Sequence, residues 1–244
     1  SKALDILEIF LEAEKNELRM TDLVKKSGIN RSTVNRVVSL LAERGYLTQK
    51  EKWGKYSIGT KFLVFSGALR KYFQNTELIR SYLEKLNSVA NESAMFASWD
   101  GRNAFYREVF SPDQPFRLVP DENRIVPLYC TAIGKIILSD KMASELSEYF
   151  ARTQLYAHTN HTITDEERLR KELEMIRVEE IAYDDEEWFT GVRSVASGIR
   201  DERGSVVGCL GVIGQSGRLS REKLKKVAPV VKKYAKELTL AIEH

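Results

Sequence analysis

Apolar residues recur at helical spacing near the start of the chain. Leu4, Ile6, Leu7, Ile9, Phe10 and Leu11 give a helix over 2–14 one aliphatic face. A second helix is predicted over 21–27, with Thr21 as its N-cap and Gly28 ending it at positive φ. Asn30 caps a third helix, in which Val34, Val37, Val38 and Leu41 follow the i, i+3, i+4, i+7 rhythm of a buried stripe and Gly45 marks the end. The other face of this third helix mixes Arg31, Ser32, Asn35 and Arg36, arginines beside short hydrogen-bonding side chains. After it, "YLTQKEKWGKYSIG" reads as two short strands about a turn at Trp53-Gly54, with Lys50, Lys52 and Lys55 near the tip.

Residues 60–90 carry two more helical patterns, "TKFLVFSGALRKYFQN" and "TELIRSYLEKLNSVANE", the second opened by Thr76 as a cap. The first is read as a linker helix over 60–76. It is apolar for a connector, with Phe62, Leu63, Val64, Phe65, Ala68, Leu69, Tyr72 and Phe73, and such a surface asks for a partner, which points to dimerisation. From about residue 93 strands and helices mix. "SAMFASWDG" and "NAFYREVF" read as a strand pair turning near Asp100-Gly101, and "FRLV" as a third strand. "TAIGKIIL", "KMASELSEYFA" and "TDEERLRKELEMIR" read as helices. "SVASGIRDERGSVVGCLGVIG" reads as a hairpin turning at Glu202-Arg203-Gly204, and the tail as one long amphipathic helix with Pro229 as its irregularity. The expected fold class is α+β, divided into a domain over 1–59, the linker helix over 60–76 and a second domain over 77–244.

Composition narrows what such a chain does. Of 244 residues, 43% are hydrophobic and 30% charged, the balance of a chain that folds around real cores. No apolar run approaches the roughly 18 residues of a membrane helix. The chain opens directly into an amphipathic pattern rather than a signal peptide, so a cytoplasmic protein is expected. Cys130 and Cys209 lie in apolar runs and read as reduced core or pocket residues, with a disulfide as the alternative. Charge is unevenly spread. Residues 1–75 carry 14 Lys and Arg against 8 Asp and Glu, and the remainder carries 24 against 27. Only the front of the chain is therefore suited to a polyanion.

Helix, glycine turn, helix and basic hairpin in this order make a winged helix-turn-helix. In that arrangement the second helix enters the major groove with its N-terminal residues at the base edges, here Arg31, Ser32, Thr33, Asn35 and Arg36. Arg donates two hydrogen bonds to guanine, Asn pairs bidentately with adenine, and Ser or Thr reaches bases or phosphates. Thr21, with the backbone N–H groups beside it, is placed to meet a phosphate. Lys25, Lys26, Lys50, Lys52 and Lys55 add attraction to phosphates that is independent of sequence. The alternative is an ordinary solvated helix in a bundle.

Across nearly its whole length the sequence resembles the isocitrate lyase regulator (IclR) family of transcription factors. In front the resemblance rests on "ALDILEIF", "MTDLVKKSGINRSTVNRVVSLLAERGYL" and the wing ending "KYSIGTKFL". Behind, it rests on "PLYCTAIGKIILS", "HTITDEERLRKELEMIR" and "IAYDDEEWFTGVRSVASGIRDERGSVVGCLGVIG", which are more specific. The resemblance implies a winged helix-turn-helix, a linker helix and a C-terminal effector-binding domain similar to GAF and PAS folds. It also implies double-stranded operator DNA as partner, dimers often paired into tetramers, and a small organic or aromatic acid as effector, with no metal and no cofactor. Carried over by position, the effector pocket takes in Ala132 and Ile133, whose N–H groups open a helix and suit a carboxylate. Asp184, Val192 and Ser194 match the next pocket positions. Family members that bind small keto acids carry two serines on the last core strand, where this chain has Gly211 and Ile213. That departure implies a different, larger or more apolar effector, with Val126, Tyr129 and Cys209 as further lining and Gly211 opening volume.

The residues also admit other chemistry. Asp184, Asp185, Glu186 and Glu187 are an acidic run, but neighbours on a strand point to opposite faces and do not converge by spacing. His158 and His161, with Asp165, have a weak zinc-like spacing and read better as loop histidines. Cys130 has no recognisable Cys-His-acid pattern around it, and a redox pair with Cys209 is a further alternative. The linker pattern suits a dimer interface better than a membrane surface. Beside the ligand-responsive regulator stand two other readings: an architectural DNA-binding protein with an inert C-terminal dimerisation domain, and an enzyme, which no motif supports.

Overall fold

The computed structural model describes residues 2–11, 17–49, 54–72, 76–122 and 124–242, with 67–72 described by their backbone. The chain divides into two compact units, Ser1–Gln74 and Asn75–His244. Among the described helices none is long and apolar enough to cross a membrane.

In the first unit, α1 (Lys2–Leu11), α2 (Met20–Ser27) and α3 (Arg31–Glu43) pack around one core. Ile6, Ile9 and Phe10 of α1, Leu23 of α2, and Val34, Val38 and Leu41 of α3 meet there, with Val37 half-buried at the margin. Strands β1 (Glu17–Leu18), β2 (Leu47–Gln49) and β3 (Tyr56–Ile58) form a small antiparallel sheet in the order β1-β3-β2 and add Leu18 and Leu47 to that core. The turn between α2 and α3 is made at Gly28, whose φ of 65° costs a residue without Cβ nothing. Asn30 Oδ1 then accepts the Thr33 N–H and the Ser32 hydroxyl, both at 2.9 Å, and caps α3. The predicted cap at Thr21 is corrected. Helix α2 begins one residue earlier, and the Asp22 carboxylate accepts the Arg19 N–H at 2.9 Å. An acid three residues into a helix satisfies the donor at its start, so no hydroxyl is needed there.

The hairpin leaves the sheet against the end of α3. Gly59 donates its N–H to the Tyr46 carbonyl at 2.8 Å, and Lys61 donates to the Gly45 carbonyl at 3.0 Å. The approach is so close that a Cβ on Gly59 would stand 2.2 Å from the Gly45 oxygen. The next helix, α4 (Lys61–Tyr72), starts with Phe62 and Phe65 packed on the Tyr46 ring at 5.6 and 6.0 Å. Residues 50–53, with Lys50, Lys52 and Trp53, lie outside the described residues; beside them Gln49 Nε2 donates to the Gly54 carbonyl at 3.0 Å.

The second unit is built on a six-stranded antiparallel sheet. Its strands are β4 (Ser93–Trp99), β5 (Ala104–Phe110), β6 (Ile125–Val126), β7 (Ala182–Asp185), β8 (Val192–Arg200) and β9 (Val206–Gln215), in the order β6-β5-β4-β9-β8-β7. Side chains alternate between its faces. Ala94, Phe96, Val195, Leu210 and Val212 face α5 (Thr76–Ala90) and α9 (Arg221–Ile242). Met95, Ala97, Tyr106, Ala182, Ala196, Cys209 and Ile213 face α6 (Ala132–Ser139), α7 (Ala143–Arg152) and α8 (Glu166–Glu179). Because helices cover both faces, β4 and β9 are almost wholly buried. The segment "FRLV", expected as a strand, is not one. Phe116 and Val119 are exposed, and the edge of the sheet beside β5 is taken by Ile125 and Val126 instead.

The segment from Pro127 to Thr131 lies directly on α6. A Cβ on Gly134 would stand 2.2 Å from the Leu128 Cα, so glycine is what lets the two approach. Gly134→Ala is expected to lower the unfolding free energy of the second unit by at least about 3 kcal/mol, at or above the upper end of ordinary overpacking costs. Urea denaturation followed by the fluorescence of Trp99 and Trp188 measures it; a loss below about 1 kcal/mol would mean that the 127–131 segment simply moves aside.

Candidate nucleic-acid interface and effector site

On the first unit, Arg31, Ser32, Asn35 and Arg36 are exposed along α3, Thr33 is half-buried and Thr21 is exposed in the first turn of α2. A groove runs between these two helix starts and the wing, lined by Thr21, Arg31, Ser32, Asn35, Lys55 and Tyr56 among others. Arg36 lies one turn along α3 from Ser32. The Ser32 hydroxyl hydrogen is held by Asn30, so outward the Ser32 oxygen acts as an acceptor. Lys55 faces Glu17 at 3.6 Å, an exposed pair of little energetic weight that a phosphate can displace. Lys25 and Lys26 are exposed in the last turn of α2. Lys52 lies outside the described residues.

On the second unit, strand register gathers the expected effector positions. Asp184 stands opposite Ser194, and Ser194 opposite Ile213. One row along, Ala182, Ala196, Gly211 and Met95 are aligned, and the next row holds Gly198, Cys209, Ala97 and Tyr106. These rows share the face that α6 covers, with Val126, Tyr129 and Val192 in the same cluster. At the start of α6, the Thr131 side chain accepts the Gly134 N–H at 3.1 Å and donates to the Pro127 carbonyl at 2.6 Å. That leaves the N–H groups of Ala132 and Ile133 as the ones the helix does not satisfy itself.

Two expectations about this lining change. Gly211 does not open a void, because a Cβ there would meet the Met95 terminal methyl at 3.0 Å and the Val195 oxygen at 2.6 Å. Tyr129 is buried, but its hydroxyl lies 3.0 Å from the Tyr156 carbonyl and 2.8 Å from His158 Nε2, so its polar end serves the α7–α8 connection. The same contact gives His158 a structural partner. Thr159 and Thr162 hold the Glu186 and Glu187 carbonyls, both at 2.6 Å, and tie this connection to the turn after β7.

Asp184 and Asp185 diverge as strand neighbours do, and the turn that follows at Glu186, with φ of 64°, sends Glu187 back inward. Asp185 pairs with Arg193 and Arg221 at 2.5 and 2.6 Å, and Glu186 with Arg193 at 2.9 Å. Asp184 and Glu187 turn inward and are buried. Sequence reasoning missed what they turn toward. Lys135, the sole charged residue of α6, is fully buried, with its ammonium 2.5 Å from Glu172 and 2.6 Å from Glu187. Burial works against its charge, but the two carboxylates outweigh it, so Lys135 holds its proton more tightly than usual. A lysine inside the otherwise apolar "AIGKIIL" was the signal available. Arg124, also missed, lies over the Trp188 ring at 5.1 Å.

Burial pushes the Cys130 thiol up to about 12, and the Asp184 and Glu187 charges add to the rise. Cys130 is therefore a thiol rather than a thiolate and is not a nucleophile. Burial also pushes the Asp184 carboxyl up to about 7, opposed by the Glu187 N–H bonded to it at 2.8 Å and reinforced by the Glu187 charge. The folded value thus lies above the ordinary 3.8. Ionising Asp184 then weakens the fold, and its contribution falls as pH rises from about 4 through about 7. The urea midpoint of the second unit should drop between pH 6 and pH 8 more in the wild type than in Asp184→Asn. Parallel pH profiles for the two proteins would contradict this assignment.

The sequence profile of the IclR helix-turn-helix domain matches residues 1–51, and that of the bacterial transcriptional regulator IclR C-terminal domain matches residues 71–240. The chain is 24% identical to the acetate operon repressor of Salmonella typhimurium, over 99% of this chain and 88% of that protein. A crystal structure of an IclR-type transcriptional regulator from a Silicibacter species shares the fold with a TM-score of 0.89 at 22% identity, over 100% of this chain and 96% of that one. An IclR homologue from Microbacterium hydrocarbonoxydans, solved in complex with 4-hydroxybenzoate, shares it with a TM-score of 0.74 at 18% identity, over 97% and 98% of the two chains. The two profiles between them account for most of the chain, and with the helix-turn-helix and the curled sheet in place the conclusion is direct: this chain belongs to the IclR family of DNA-binding transcriptional regulators.

Proposed function

We propose that this regulator reads its operator with the first two turns of α3 and is switched by a small organic or aromatic acid bound beneath the start of α6. The observation that carries the reading is one sheet face on which register aligns Asp184, Ser194 and Ile213 under a helix whose first N–H groups have no intrahelical partner. The effector carboxylate meets the N–H groups of Ala132 and Ile133, where the helix dipole favours negative charge. Asp184, whose carboxyl burial holds above the usual carboxylate range, and the Ser194 hydroxyl take its polar substituents, and Met95, Ile213, Val192 and Val126 enclose its apolar body. The complex of a relative with 4-hydroxybenzoate supports an aromatic acid as one class.

Dimerisation follows from α4, whose Leu63, Val64 and Phe65 are exposed at 71%, 65% and 48% and are covered by a second copy of the chain. The effector acts by population shift. It favours one arrangement of the dimer and so changes how well two recognition helices meet two half-sites.

On DNA, Arg31, Asn35 and Arg36 reach base edges, Thr21 and the lysines meet phosphates, and Ser32 accepts from a base amino group. A gel shift with the upstream intergenic DNA should show Arg36→Ala or Asn35→Ala weakening specific binding by about 5- to 150-fold, the 1–3 kcal/mol of a lost base contact, while random DNA is bound nearly as before. Equal loss on both DNAs would remove α3 from base reading. A thermal-shift screen of organic, sugar and aromatic acids should find at least one that raises the Tm of the wild type and not of Asp184→Ala. A screen with no such acid would favour a C-terminal unit that only dimerises.

A further inference from the structure

Glu187 is clamped from three directions. Its N–H donates to Asp184 Oδ1 at 2.8 Å, its carbonyl accepts the Thr162 hydroxyl at 2.6 Å, and its Oε1 holds the Lys135 ammonium at 2.6 Å. Its second carboxylate oxygen, Oε2, is buried and is the one buried side-chain nitrogen or oxygen among the described residues without a hydrogen-bond partner, although the Asp185 N–H acts on the same carboxylate. The side chain is 8% exposed. With the backbone fixed and one oxygen on Lys135, the carboxylate cannot turn to find a donor without releasing that lysine. A buried acceptor left open in this way is costly, and a donor supplied from outside the chain removes the cost.

The open oxygen belongs to the same neighbourhood as the effector positions. Glu187 lies three residues beyond Asp184 and is bonded to it, and both carboxyls raise the thiol of Cys130, which adjoins the cap of α6. Lys135, shared between Glu187 and Glu172, offsets part of the Glu187 charge and so lessens the repulsion of an anionic ligand that offers a neutral donor.

We propose that Glu187 Oε2 is the acceptor for a hydroxyl or amino donor carried by the effector, so that Glu187 selects hydroxy and amino acids over keto, methoxy and unsubstituted ones. The inference rests on the reading that the effector binds beneath α6. It assigns Glu187 a recognition role beside its structural one: one oxygen anchors Lys135 and the other discriminates.

Matched ligands test it on the full chain. Isothermal titration with 4-hydroxybenzoate, 4-aminobenzoate, 4-methoxybenzoate and benzoate, and with lactate against pyruvate, should give at least tenfold tighter binding for the donor-bearing members of whichever set binds. Glu187→Gln keeps an oxygen for Lys135 and turns its amide N–H2 to the open position, so the preference should reverse toward the methoxy or keto ligand. Glu172→Gln removes the other carboxylate on Lys135 and should leave the wild-type preference in place. Binding without donor preference, or the same change in both glutamine variants, overturns the proposal while leaving the effector site beneath α6 intact. If no ligand of either set binds the wild type, this proposal falls, while the acid-effector reading it rests on is decided separately by the wider thermal-shift screen.

Discussion

The second unit depends on one buried cation. Helix α6 buries all eight of its residues, and Lys135 is the only charge among them. Its ammonium is held by Glu172 from α8 and Glu187 from the turn after β7, so two elements distant in sequence are hydrogen-bonded to a single nitrogen of α6. Taking three charges from water is expensive, and apolar side chains of similar volume often pack as well. What the ion triad supplies instead is position. Hydrogen bonds of 2.5 and 2.6 Å to a fixed nitrogen leave α6 little freedom to slide along α8 or away from β7.

The rest of the sheet face beneath α6 follows from that placement. With Glu187 drawn inward to Lys135, Asp184 shares its burial and its polar bonds, and the carboxyl is pushed toward neutrality. Asp185 and Glu186 are left to face arginines on the other side. Thr159 and Thr162 close the same turn from the α7–α8 connection, which Tyr129 and His158 hold in turn. The acids that look like one motif in the sequence thus divide into an inner pair turned toward α6 and an outer pair that faces arginines.

Local signals carried most of the fold. The stripe Val34, Val38, Leu41, the turn at Gly28 with its Asn30 cap, and the hairpin of β8 and β9 were legible because each is decided within a few residues. Thr21 misled because two short-range caps competed and the acid at Asp22 won. "FRLV" misled because its apolar composition suits a strand, while sheet pairing depends on the edge that Ile125 and Val126 occupy. The triad at Lys135 joins positions 37 and 52 residues away, and no periodicity marks such a contact. The positions expected to line an effector site were read from family likeness rather than residue chemistry. That is why the likeness marked Gly211 as a lining position but did not show that Met95 fills the space above it.

The seam between Gly45 and Gly59 has a mechanical consequence. With the hairpin's exit hydrogen-bonded to the end of α3, and Phe62 and Phe65 seated on Tyr46, the start of α4 has no joint of its own. The end of α3, the exit of β3 and the start of α4 are therefore joined, and α4 acts as a lever on them. Its arm is roughly 18 Å, the rise of 12 residues. A tilt of about 10° over such an arm displaces its far end by about 3 Å, close to the 3.4 Å step from one base pair to the next. A few degrees at the fulcrum are then enough to put a reading head out of phase with the double helix.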